Sequence, residues 1–171
     1  MMRPKATRAL SPVITVRRAG PADAEEIASI HVTAWQEAYS HLVDAQKLAA
    51  LNPADRVARW RDILVGSDQK AWIAERDGVP VGWATTSERD GTVQPRALEL
   101  NGIYVLSRAY GSGAGQALLN EAAGESPAYL WVASDNPRAQ AFYRRNGFAP
   151  DGATDEYQLL GTPVAITRWV R

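Results

Sequence analysis

Residues 98–143 constrain this chain more than any other stretch. They read as a strand, a turn carrying Gly111, Gly113 and Gly115, an apolar helix, a second strand and a helix start at Asn136-Pro137. A strand that runs into a glycine-rich turn and opens a helix suits an anion. Its main-chain N–H groups face outward, and the helix dipole favours negative charge. A phosphate-bearing ligand is the first expectation. The plainer alternative is a tight strand-to-helix turn that needs glycine only for its backbone angles.

The rest of the pattern surrounds this segment with one mixed α/β sheet. Residues 13–17 are short and β-branched, as a strand should be. Gly20-Pro21 opens a helix with Asp23, Glu25 and Glu26 in its early turns, and Ile27, Ile30, Ala34 and Ala38 keep helical spacing to about residue 40. Asn52-Pro53 opens a second helix through Val57, Trp60 and Leu64. Strands are expected at 70–75 and 79–86 around the hairpin pair Asp77-Gly78, and at 97–106, where Gly102 marks a bulge or a close approach. A helix over 113–123, a strand over 129–132, a helix over 136–146 and strands at 148–149 and 164–170 follow. No repeat or linker divides this order. It predicts one domain over 13–171 behind a flexible arm over 1–12.

Composition removes several classes of function. Lys and Arg together number 19, as do Asp and Glu, so neither nucleic acid nor a membrane surface is an expected partner. The absence of cysteine excludes a catalytic thiol, disulfides and zinc–thiolate sites. His31 and His41 are the only histidines and lack metal-ligand spacing, so no metal is expected. No apolar leader and no run near the ~18 residues of a membrane span is present, which makes the cytoplasm the expected location.

The glycine turn fits few phosphate motifs. The G-x-G-x-x-G pattern fails in both registers, because Gln116 or Leu118 stands where its last glycine belongs. No Gly-Lys-Ser/Thr follows, and Ser112 lacks the flanking residues of a hydrolase elbow. A pyrophosphate held by main-chain amides alone remains. Coenzyme A has such a group, for the amides of residues 111–116, and a pantetheine arm whose own amides can pair with an open strand edge.

Two motifs in order carry a family resemblance. Tyr110-x-x-Gly113-x-Gly115 continues into Gln116 and an apolar helix, and Asn-x-x-Ala-x-x-Phe-Tyr-x-x-x-Gly-Phe spans residues 136–148. With the opening residues 16–23, they make the chain resemble the GNAT superfamily of acyl-CoA-dependent N-acyltransferases over nearly all of 13–171. The resemblance implies a central, twisted, mostly antiparallel sheet with helices on both faces. It implies transfer of an acetyl group from acetyl-CoA to a primary amine of a small molecule. Tyr110, Gly111, Ser112, Gly113, Ala114, Gly115 and Gln116 would hold the pyrophosphate. The amides of Ile103, Tyr104 and Val105 would hold the thioester and pantetheine, and Asn136 would touch the pantetheine unless it serves only as a helix cap. Tyr110 stands where Gln or Arg is usual, and Arg108 is the nearby charge that could compensate.

A lysine-like amine, pKa about 10.4, costs roughly 4.6 kcal/mol to hold neutral at pH 7. A base and an acid are therefore sought. The resemblance implies Tyr143 as the acid that protonates the leaving thiolate; its alternative is core packing beside Phe142. The strand before Asn136 reads Leu130-Trp131-Val132, without the glutamate of some relatives. Glu99 is the base candidate by position. It could instead bind the substrate ammonium or form an ion pair. His31, Trp35 and Tyr39 recur at four-residue spacing and form a candidate acceptor-pocket wall, or else ordinary core. A protein N-terminus or lysine is the alternative acceptor, and a catalytically silent acyl-CoA sensor the alternative function. Dimers are frequent in the family, and the final strand 164–170 is the candidate homodimer contact.

Overall fold

The computed structural model describes residues 11–66 and 68–171. The arm expected at the start therefore lies, for residues 1–10, outside the described residues.

Among the described residues, seven strands form one sheet. They are β1 (Ile14–Arg18), β2 (Gln69–Arg76), β3 (Val79–Glu88), β4 (Leu98–Val105), β5 (Ala128–Ala133), β6 (Ala149–Leu159) and β7 (Thr162–Val170), in the spatial order β1-β2-β3-β4-β5-β7-β6. Every neighbouring pair is antiparallel except β4 and β5. Among the described residues five α-helices accompany them: α1 (Ala24–Ala38), α2 (Ala45–Ala49), α3 (Ala54–Gly66), α4 (Ala114–Ala122) and α5 (Pro137–Arg145).

The core explains which face each helix takes. Trp72 and Ala74 of β2 point into a cluster with Leu118 and Leu119 of α4 and with Phe148. Ile73, between them, points the other way, to Ile27 and Ile30 of α1 and Trp60 of α3. Strands alternate faces with period two, so a strand buried on both sides reads as a continuous apolar run. Residues 71–74 are such a run, all buried. A third cluster of Val43, Leu48, Ala133, Leu159 and Val164 closes the end near β6 and β7. Fully burying a side chain such as Leu118 contributes about 1.5–3 kcal/mol.

Three differences from the sequence reading matter. The short helix α2 is held by an Asp44 cap, whose Oδ1 accepts from the Gln46 amide at 2.8 Å. Residues 149–159 form a long strand, although only 148–149 were expected to be extended. Its side chains are almost all exposed, so no apolar alternation marks it; pairing with β7 and the Leu160-Gly161 turn, both at positive φ, hold it instead. Finally, β7 lies between β5 and β6 and is paired on both sides. It has no free edge for a dimer contact; β6 is the outer strand.

Candidate active site

The centre of the sheet is open. β4 and β5 pair only at Leu98–Ala128 and Glu99–Tyr129, and beyond those residues they diverge. β4 stays attached to β3, with Ile103 opposite Ala84 and Val105 opposite Gly82. One residue is extra in this ladder: Thr85 and Thr86 face Gly102 and Leu100, and Asn101 bulges between them. Such a bulge bends a strand and raises its twist, which fits the bulge expected at Gly102 and the departure of β4 from β5. The Ser87 hydroxyl fixes Asn101 by donating to its Oδ1 at 2.9 Å. Residues 101–105 thus have a main-chain edge that β5 does not cover.

The glycine turn lies where β4 ends. Gly111 and Gly113 have φ of +74° and +90°, a region that costs residues with a side chain about 1–2 kcal/mol. Gly113 is the N-cap of α4. A Cβ on Gly115 would lie 3.7 Å from Phe142 and 3.9 Å from Val105, so the helix starts within ordinary van der Waals reach of β4 and α5. Among the described residues, the amides of Gly111, Gly113, Gly115 and Gln116 have no acceptor. Those of Ser112 and Ala114 are committed to the turn itself, to the Ala109 carbonyl at 3.2 Å and to Ser112 Oγ at 3.4 Å. The Ser112 hydroxyl also donates to the Ala109 carbonyl at 2.6 Å. The Gln116 side-chain amide is tied to Asn120 and Asn146. The turn therefore offers four main-chain donors rather than side chains.

The charge near the turn comes from an unexpected residue. Arg108 faces away, donating to the Pro80 carbonyl at 3.1 Å. Arg138 of α5 instead lays its guanidinium over the Tyr110 ring, 3.1 Å from its centroid. Nothing in the sequence spacing pairs 110 with 138; the fold brings the start of α5 over the glycine turn. Asn136 caps α5 by accepting from the Ala139 amide at 3.1 Å.

Tyr143 is buried on α5 between Phe142 and Phe148, in edge contacts at 5.3 and 5.8 Å. Burial pushes its phenol far above the ordinary tyrosine range, with the neighbouring Tyr39 adding to the effect. It therefore keeps its proton throughout the physiological range. Tyr39 and Tyr104 share a hydrogen bond of 2.7 Å between their hydroxyls, and both are likewise pushed up by burial.

Beside these tyrosines is a cavity of about 280 Å³. The expected His31, Trp35 and Tyr39 all line it. The other walls have no local signal: Trp60 and Ile63 of α3, Trp83 of β3, Tyr104 of β4, Trp131 of β5 and Tyr157 of β6. Arg56 and Arg59 of α3 also line it, and no Asp or Glu among the described residues does. His31 Nδ1 lies 3.2 Å from the indole Nε1 of Trp60 and accepts its proton. A neutral imidazole then carries its own hydrogen on Nε2. Burial, with Arg56 and Arg59 nearby, lowers the His31 pKa to about 3. The ring is uncharged at pH 7, and its one lone pair is already used.

Glu99 is not brought into the cavity. It pairs with Arg89 at the closed end of β4, next to Tyr129. This is the ion-pair alternative of the sequence reading. The reason is register: Glu99 lies in the two-residue stretch where β4 and β5 still touch, before the strands part.

The family model described as Acetyltransferase (GNAT) family matches residues 25–148. The chain belongs to the GNAT family. It is 29% identical over 152 residues to a probable N-acetyltransferase, Rv2775, of Mycobacterium tuberculosis, covering 86% of each chain. Its fold matches that of a GCN5-related N-acetyltransferase from Rhodopseudomonas palustris with a TM-score of 0.71 at 22% identity, covering 96% of this chain and 99% of that one. It also matches PaiA N-acetyltransferase from Thermoplasma acidophilum, solved in complex with coenzyme A, with a TM-score of 0.69 at 16% identity over 91% and 98%. The mixed, mostly antiparallel sheet with helices on both faces is the GNAT fold, and the chain is an acyltransferase of this type. No helix among the described residues is long and apolar enough to cross a membrane.

Proposed function

We propose that this GNAT enzyme moves an acetyl group from acetyl-CoA to the primary amine of a small molecule, with Tyr143 as general acid. The observation that carries this reading is the meeting of two sites. Four acceptor-free amides and an uncovered strand edge lie at one side and an aromatic cavity at the other; Tyr39 and Tyr104 line that cavity, and the buried phenol of Tyr143 interacts electrostatically with both.

The residues fit coenzyme A. The amides of Gly111, Gly113, Gly115 and Gln116 would hold its pyrophosphate, with Arg138 supplying charge over Tyr110. The open edge at 103–105 would pair with the pantetheine amides and position the thioester carbonyl. Acetyl-CoA supplies the acetyl thioester: a C–N bond to the amine forms, the C–S bond breaks, the amine loses one proton and the thiolate gains one. Tyr143 holds the proton that the thiolate needs. A buried phenol is a stronger acid toward a thiolate, pKa about 8.5, than water is.

Among the described residues, the cavity wall offers no carboxylate and no free imidazole lone pair for the amine's proton. His31 has its lone pair occupied, and Glu99, held by Arg89, lies outside the cavity. The amine then loses its proton to water. Less basic amines are favoured: an α-amino group near pKa 8 costs roughly 1.4 kcal/mol to hold neutral at pH 7. Free-thiol release from acetyl-CoA across an amine panel tests the reading. Turnover that rises with pH up to the pKa of the acceptor is expected. Acetyl-CoA binding without thiol release on any small amine would overturn it.

A further inference from the structure

The cavity is charged in one sense only. Arg56 is half-buried and stacks 4.7 Å over the Trp35 ring, and Arg59, one turn later on α3, is exposed. Among the described residues neither has a carboxylate partner. Asp55 neighbours Arg56 in sequence but does not line the cavity. Three N–H donors of lining residues, Trp35 Nε1, Trp83 Nε1 and His31 Nε2, are buried without an acceptor. Burying a guanidinium without a counter-ion is unfavourable, and here burial lowers the Arg56 pKa. The walls around these groups are flat aromatic rings. The volume is near the lower end of ligand pockets, about 300–1,000 Å³.

We infer that the acceptor is a small amino carboxylate with a flat, apolar body, its carboxylate held by Arg56 and Arg59 in the aromatic cavity. This rests on the transferase reading above and narrows it. A guanidinium offers a carboxylate two parallel N–H groups, a geometry that lysine lacks. The rings of Trp35, Trp83 and Trp131 would cover the apolar body. A polyamine or an aminoglycoside would bring further ammonium groups beside two arginines, with no acid in the wall to receive them. Such acceptors are rejected by like charge.

Matched pairs test this: phenylalanine and phenethylamine, tryptophan and tryptamine, 4-aminobenzoate and aniline, with spermidine as polycation. Thiol release from acetyl-CoA is measured at fixed enzyme. The carboxylate member of the productive pair should have a kcat/KM higher by about ten-fold or more, the size of one charge-assisted hydrogen bond. Arg56→Gln should raise the KM of that carboxylate about ten-fold and erase the preference, leaving acetyl-CoA KM within two-fold. Arg56→Lys should restore part of it. A decarboxylated amine or spermidine used as well as the carboxylate overturns the inference and spares the transferase reading. If no compound releases thiol, the transferase reading fails for these amines. The inference is then read from tryptophan fluorescence in the same titrations, where tighter binding of carboxylates to wild type than to Arg56→Gln supports it and equal binding overturns it. Arg59→Gln, at an exposed position, serves as the second variant should Arg56→Gln lose its fold.

Discussion

At the glycine turn the chemistry belongs to the main chain; in the cavity it belongs to side chains. The turn offers the amides of Gly111, Gly113, Gly115 and Gln116, all within six consecutive residues. The cavity gathers side chains from α1, α3 and every strand but β1. A main-chain site depends on backbone angles and tolerates exchange of side chains that keep those angles. A side-chain site can be rebuilt for another ligand while the fold stays the same. The first half therefore identifies the family, and the second half distinguishes this member.

If that division is right, substitutions should separate the two halves kinetically. The largest effect is expected where they join. Tyr143→Phe should lower kcat about 100-fold with acetyl-CoA affinity unchanged, since general acids contribute roughly 10²–10⁴; unchanged turnover removes Tyr143 from the chemistry. Next comes a pH effect on the cavity. The His31 pKa near 3 lies below the ~6.5 of an unfolded chain, which binds the proton more readily. The stability from its neutral burial is complete above pH 6.5 and falls as pH drops, by about 2 kcal/mol at pH 5. Denaturant titrations should show this slope between pH 6.5 and 5, and His31→Gln should flatten it.

Trp35→Ala should raise acceptor KM about ten-fold, the loss of one aromatic wall, and leave acetyl-CoA KM unchanged. Equal changes in both would make Trp35 common core and blur the comparison. Gly113→Ala should do the converse. Forcing a Cβ at φ +90° costs about 1–2 kcal/mol and should weaken acetyl-CoA binding up to ten-fold by calorimetry, with acceptor KM spared. The smallest effect is expected from Glu99→Gln, whose partner is Arg89: kcat within two-fold and the same pH–rate profile. A lost limb in that profile would return Glu99 to the chemistry.

This division also sets what could be read before the fold was known. The strand–glycine–helix order, the Asp77-Gly78 hairpin and the Asn136-Pro137 helix start are local, because turns and caps are written in adjacent residues. The bulge at Asn101 was within reach for the same reason, through Gly102. The cavity was legible only along α1, where His31, Trp35 and Tyr39 share a face. Nothing local to Arg56 and Arg59 marks a pocket; they line it because α3 packs against α1. The pairing of Arg138 with Tyr110 joins residues 28 positions apart. β6 was missed because its exposed residues carry no alternation: its hydrogen-bonding partner, rather than burial, makes it a strand.

The two-residue contact between β4 and β5 has one more consequence. The sheet resembles a book whose leaves are bound at one corner of the spine. An extended, amide-bearing ligand laid between the open pages would act as a temporary eighth strand. Each catalytic cycle would then build and dismantle part of the architecture itself, and amide exchange at residues 101–105 would slow on loading and quicken on release.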